Sequence, residues 1–279
     1  MKILLMNNKI LFLILFITGF FQLKTYTQGN LLITPTRLVF NKNKTKEIIN
    51  LVNTGKKEET YVVSFVERSM NEDGSFTVVT EPEPGQNFAK PHLRIYPRTV
   101  SLMPGEGQVV MLQRRRNRNL QTGEYRSHLY FRSTTDYSAL GKTIKDSLTG
   151  VSVDLTPVYG LTIPVIFRSG KVTSTVTLSD LKLENTKDQN QIYFTINRTG
   201  NSSVYGDFTV QYLPLKGKSI TIGAINGVAV YTTTKQRFMS INLIKPDLKN
   251  FKEGTIKIIY KTRPGSKKNI VFAEATLNL

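Results

Sequence analysis

From Val151 to Phe167 the chain keeps an alternation of period two. Val151, Val153, Leu155, Pro157, Tyr159, Leu161, Ile163, Val165 and Phe167 fall on one parity, while Ser152, Asp154, Thr156, Gly160, Thr162 and Pro164 fall on the other. Alternation of this kind belongs to an extended strand with one apolar face. Ordinary strands run about 5–6 residues, so a strand of this length extends past any sandwich that buries only part of it. Pro157 and Pro164 cannot donate to a ladder, which places the strand at a sheet edge. The alternative is two consecutive strands, broken near Pro157 or Gly160, that share parity.

The rest of the chain after Asn30 is built from short β-branched and aromatic runs separated by turn residues, the pattern of an all-β protein. Candidate strands in the first half are Leu31–Phe40, Lys46–Val52, Thr60–Glu67, Ser75–Val79, Gln108–Gln113 and Tyr125–Arg132. Asn53-Thr54-Gly55, Asn71-Glu72-Asp73-Gly74 and Pro104-Gly105 supply the turns between them. The polar stretch Ser133–Gly150 reads as a long loop ahead of the alternating segment. After a short linker, Ser169-Gly170-Lys171, strand-like runs resume at Val172–Leu178, Gln191–Asn197, Val204–Tyr212, Gly227–Thr232, Phe238–Leu243, Thr255–Tyr260 and Ile270–Leu277. The expected organisation is therefore two immunoglobulin-like β-sandwich domains in tandem, over residues 29–168 and 169–279.

The first 28 residues read as a cleavable export signal: Lys2 and Lys9 precede the apolar run Ile10–Ile17, and the cleavage region lies between Lys24 and Asn30. That run is shorter than the roughly 20 apolar residues a bilayer span needs. About 250 residues remain, enough for two cores at roughly 100–150 residues each. The chain has no cysteine, so both cores must hold without disulfides. Removal of Lys2, Lys9 and Lys24 takes the formal charge from +18 to +15, still strongly basic. Most of the lysines are scattered; the dense cluster is Arg114-Arg115-Arg116, followed by Arg118. It is either a solvated strand end or a patch for anionic lipid, polysaccharide or an acidic protein. No aromatic interleaving points to stacked nucleotides, and no nucleic-acid partner is expected.

Five stretches of the first domain resemble the periplasmic pilus-assembly chaperones, the PapD-like family. They are Ile33-Thr34-Pro35-Thr36-Arg37-Leu38-Val39-Phe40, Leu51-Val52-Asn53-Thr54-Gly55, Tyr96-Pro97-Arg98 through Leu102-Met103-Pro104-Gly105 to Gln108-Val109-Val110, Gly123-Glu124-Tyr125-Arg126-Ser127, and Ile163-Pro164-Val165-Ile166-Phe167-Arg168. The second domain matches in strand pattern alone. The resemblance implies a periplasmic chaperone that holds secreted fimbrial or pilus-type subunits by donor-strand complementation, the lending of a strand to an incomplete sandwich. Client contacts then fall on Val151, Val153 and Leu155, with Pro157 and Tyr159 beyond them. The resemblance also implies that Arg37 binds the client's C-terminal carboxylate together with a lysine. That lysine position falls here on Pro164, which leaves three alternatives: Arg37 acts alone, acts with Arg168, or is a solvated strand arginine with no part in anchoring. Arg168 further matches an arginine of an interdomain salt-bridge network, with Glu124 as its first-domain partner and no second-domain acid identified. An outer-membrane usher is left open as a further partner.

Little in the chain suits catalysis. His92 and His128 are its two histidines, and the lack of cysteine excludes thiol chemistry and Cys-ligated zinc. Gly217-Lys218-Ser219 ends like a phosphate loop, but Tyr212 stands where that loop needs glycine, so it reads as a hairpin turn. No cofactor, metal or small-molecule substrate is expected. The competing class is an exported adhesive or structural sandwich module that binds glycan or a cell-surface partner.

Overall fold

The computed structural model describes residues 30–40, 44–115, 117, 119–134, 160–185, 190–244, 253–266 and 268–279. Within them the runs of alternating residues become eighteen strands. The first half carries β1 (Leu31–Thr34), β2 (Leu38–Val39), β3 (Lys46–Asn53), β4 (Glu59–Val66), β5 (Arg68–Met70), β6 (Phe76–Val78), β7 (Leu93–Tyr96), β8 (Thr99–Leu102), β9 (Gly107–Arg114), β10 (Gly123–Ser133) and β11 (Gly160–Ser169). The second carries β12 (Ser174–Asn185), β13 (Asn190–Gly200), β14 (Val204–Leu213), β15 (Ile220–Val230), β16 (Gln236–Asn242), β17 (Thr255–Lys261) and β18 (Val271–Asn278).

Two sheets, β1-β3-β9-β7 and β2-β11-β10-β4-β8, close over one hydrophobic core that includes Ile49, Leu51, Leu112, Leu129, Phe131 and Phe167. Two more, β12-β13-β16 and β15-β14-β17-β18, close over a second core around Phe194, Phe208, Ile256 and Tyr260. The molecule is thus all-β, with two sandwich cores in tandem. Some element limits differ from those expected of the sequence. The expected strand Leu31–Phe40 is two strands, because Pro35 has no N–H to continue the ladder, and the chain moves from one sheet to the other between Thr34 and Leu38. The short strands β7 and β8 carry too little alternation to stand out in the sequence.

A fifth sheet is the small hairpin β5-β6, which belongs to neither sandwich layer. It reaches across to the second sandwich: Thr234 Oγ1 donates to the Met70 carbonyl at 2.7 Å, and the Phe238 amide donates to the Glu72 carbonyl at 2.7 Å. Met70 is buried with Ala229 and Tyr231, and the Phe76 ring lies 5.5 Å from that of Tyr231.

Strand β10 sets the geometry between the halves. Pairing with β11 on one side and β4 on the other makes it an interior strand, and its odd residues Tyr125, Leu129 and Phe131 fill the first core. By alternation its even residues Glu124, Arg126 and His128 leave the opposite face of the sheet, toward the second sandwich. All three are buried there.

The second core offers the simplest check on packing. Phe208 is fully buried, stacked on Tyr260 with ring centroids 4.2 Å apart and tilted against Phe194 at 5.1 Å. Phe208→Ala is expected to cost about 3–5 kcal/mol in urea denaturation followed by circular dichroism; a loss below about 1 kcal/mol would contradict this packing.

Candidate functional site

The even face of β10 and the matching face of β11 meet a loop of the second sandwich, and charge is concentrated there. Register places Glu124 opposite Arg168 and Arg126 opposite Ile166. The Glu124 carboxylate is almost wholly enclosed. Its Oε1 accepts from Arg126 Nη2 at 2.7 Å, and its Oε2 accepts from Arg168 Nε at 3.1 Å and Nη2 at 2.9 Å. Oε2 also accepts from the second sandwich, through Ser203 Oγ at 2.8 Å and the Ser203 amide at 3.2 Å. Burial pushes the Glu124 carboxyl upward, but Arg126, Arg168 and the Ser203 hydroxyl outweigh it and hold the group at about 2.

Among the described residues, the second sandwich reaches this carboxylate through two serines, Ser202 and Ser203, and supplies no acid to the Arg168 network. They are held in place by Arg198, a buried guanidinium that donates to the carbonyls of Thr199, Gly200, Ser202 and Thr232 at 2.7–3.2 Å. Gly200 is needed at this turn: its φ is +96°, and a Cβ would lie 2.3 Å from the Thr173 carbonyl oxygen. Nothing in the sequence pattern marks Arg198 or Ser203, because backbone carbonyls and hydroxyls leave no charge signature.

Arg126 does more than pair with Glu124. Its Nη2 also donates to Ser203 Oγ at 2.7 Å, and its guanidinium lies 3.7 Å from the Tyr231 ring centroid. Its Nε and Nη1 are buried and have no hydrogen-bond partner among the described residues. Arg37 lies in the same region, half-buried, with its guanidinium 4.3 Å from the Tyr205 ring centroid. Burial first, and then the like charge of Arg126, lower its pKa to about 10. Two arginine charges thus lie close together where the sandwiches meet. The family resemblance points to Arg37 alone; the signal for Arg126 is its alternation with Glu124 and His128.

Pro164 lies opposite His128 in the β10–β11 register and offers no cation. His128 is buried, with Nε2 2.9 Å from Tyr231 Oη, and burial together with the Arg126, Arg68 and Arg37 charges lowers its pKa to about 3. It is a neutral packed imidazole at ordinary pH. His92 packs edge-on against Tyr125 and Phe167 at 5.4 and 5.9 Å.

The described part of the alternating segment is β11. Its odd residues Ile163, Val165 and Phe167 are sealed in the first core, whereas Leu161 is 42% exposed. One flank pairs with β10 from Gly160 to Ser169; the other pairs with β2 at Val165 and Ile166. Val151, Val153, Leu155, Pro157 and Tyr159 lie outside the described residues, as does Arg116 of the basic cluster. Arg114 is half-buried at the end of β9, 5.5 Å from the Phe167 ring centroid, and Arg115 is exposed.

No family model and no curated protein matches the chain. Solved structures do resemble it. The YadV chaperone does so at 9% identity and a TM-score of 0.45, over 90% of this chain and 100% of that one. The class 5 fimbriae chaperone CfaA does so at 14% and 0.42, over 89% and 98%. A chain of the Salmonella enterica complex of SafA pilin with the SafB chaperone does so at 12% and 0.41, over 91% and 97%. These neighbours are a chaperone, a fimbriae chaperone and a complex of a pilin with a chaperone. Identities this low leave the residues of this chain to carry any functional reading.

The Glu124 node makes a pH-dependent prediction. Because folding depresses this carboxyl from 4.5 to about 2, its contribution is complete above about pH 4.5 and is lost as pH falls toward 2. Glu124→Gln is expected to cost about 3 kcal/mol at pH 7. The gap from the unsubstituted protein should narrow steadily in denaturation series taken down to pH 2.5. A gap that stays constant with pH would mean that the charge is not what Glu124 supplies.

Proposed function

We propose that the protein is a periplasmic chaperone for secreted fimbrial or pilus-type subunits, which it holds by donor-strand complementation through the strand 151–167. The observation that carries this reading is the change along one parity of β11, from Phe167, Val165 and Ile163 inside the molecule's own core to Leu161 exposed. Continued toward the N-terminus, the same parity runs through Tyr159, Pro157, Leu155, Val153 and Val151, all apolar. A strand that has left its own core, with a partly unpaired flank, offers main-chain donors and acceptors together with alternate apolar side chains. An incomplete sandwich lacks both. Burial of each aliphatic side chain in a client groove contributes roughly 1.5–3 kcal/mol, so three give a firm yet exchangeable hold.

The cleft supplies the second half of the mechanism. The half-buried Arg37 guanidinium lies over the Tyr205 ring, beside the positive charge of Arg126, and a client's C-terminal carboxylate suits it in charge and geometry. The Glu124 node then fixes the angle between the sandwiches so that the anchor and the donor strand present themselves to the same client. Its role is positional, since a buried ion pair adds less to stability than to the definition of one geometry.

Val153→Asp and Leu155→Asp are each expected to leave the fold intact and abolish co-purification of the client from the native host. Arg37→Gln, which breaks no hydrogen bond with a described residue, should weaken client binding by about tenfold to a hundredfold. Retention of the client at wild-type level by all three variants would sink the reading, and capture of glycan with no protein client would favour an adhesive module.

A further inference from the structure

The outward face of the β1-β3-β9-β7 sheet departs from the polar surface that a solvated sheet normally shows. Strand alternation turns Ile49, Leu51, Val110 and Leu112 into the core and leaves the opposite parity outside. That outer parity includes Leu32 (53% exposed), Ile48 (55%), Val109 (51%) and Tyr96 (72%). Register makes one continuous apolar rung across three strands, with Ile48 opposite Met111 and Met111 opposite Tyr96. The next rung is Lys46 opposite Gln113 and Gln113 opposite Arg94. It opens onto a depression of about 420 Å³ lined by Thr45, Arg94, Gln113, Arg114 and Arg115. None of these lining residues is acidic, and no acid lies on the outward parity of the four strands.

We propose that this face docks on an anionic phospholipid surface, with a headgroup phosphate in the basic depression and the rung Ile48–Met111–Tyr96 against the upper acyl region. A guanidinium presents a fork of donors that matches phosphate oxygens. An exposed tyrosine beside aliphatic side chains is the amphipathic arrangement favoured at the boundary between headgroup and hydrocarbon. The order across the sheet, cations on one rung and apolar groups on the next, follows the order of a lipid from headgroup to chain. A second copy of this chain fits the face less well, because a two-fold pairing would set Lys46, Arg94 and Arg115 against a surface with no acid. The face lies on the sheet opposite β11, so docking leaves the donor strand and the cleft free.

The test is co-sedimentation of the full mature chain with vesicles. The chain should sediment with phosphatidylcholine vesicles that contain about one-third phosphatidylglycerol, and should stay in solution with phosphatidylcholine alone. The double variant Arg94→Glu/Arg115→Glu should bind the anionic vesicles at least about tenfold more weakly. Ile48→Asn/Tyr96→Ser, which keeps every charge, should also bind several-fold more weakly. All four positions point outward, and circular dichroism verifies that each variant is folded. Client co-purification should be unchanged in both, so failure here is distinguishable from failure of the donor-strand reading. Four results would overturn the proposal: no binding of anionic vesicles, undiminished binding by the charge-reversed variant, undiminished binding by the apolar-rung variant, or capture of an acidic protein through this face by a chain that ignores vesicles.

Discussion

A single buried carboxylate defines how the two sandwiches meet. Glu124 accepts from Arg126 and Arg168 of the first sandwich and from Ser203 of the second, so neither half satisfies it alone. A charge enclosed to this degree is tolerated only when its partners are complete. The consequence is a preferred interdomain angle, because any rotation that withdrew Ser203 would leave the carboxylate short of a donor. The β5-β6 hairpin reinforces that angle from another side through its backbone contacts at Met70 and Glu72. Glu67 adds a contrasting carboxyl nearby: it accepts from Ser127 Oγ at 2.8 Å, but burial outweighs that bond and the charge of Lys90 and pushes it up to about 7.

The same alternation that builds β10 also explains the cleft. One parity of that strand gives Tyr125, Leu129 and Phe131 to the first core; the other includes Glu124, Arg126 and His128, residues that would be unusual on an exposed face and costly in an apolar one. They are accommodated because the second sandwich brings hydroxyls, aromatic rings and carbonyls to them. Tyr231 is the central aromatic, placed between the Arg126 guanidinium at 3.7 Å and the His128 ring at 5.8 Å. Nε and Nη1 of Arg126 remain buried without partners among the described residues, and the guanidinium of Arg37 lies over Tyr205.

Period-two patterning with turn residues makes the all-β class and most strands legible in the amino-acid sequence, since side-chain alternation is a direct imprint of the sheet. Leu161 through Phe167 are legible in the same way. Three things are not. The hairpin β5-β6 shows in the sequence only as a single strand, Ser75–Val79, because three-residue strands carry too little alternation to stand out. The expected second-sandwich member of the Arg168 network is an acid, whereas the described residues bring hydroxyls held by Arg198 to its Glu124 partner. Arg126 shares parity with Glu124 and His128, but its unpaired donors are a property of three-dimensional burial. The residues proposed to enter a client groove, 151–159, lie outside the described residues, so their role rests on parity with β11.

Hydrogen–deuterium exchange on the chain purified with a bound client tests the proposed donor-strand account most directly. Amides across 151–159 should become strongly protected when the client is bound, as an added ladder requires. A bound client that leaves exchange across this segment unchanged, while protecting a different face, would contradict it.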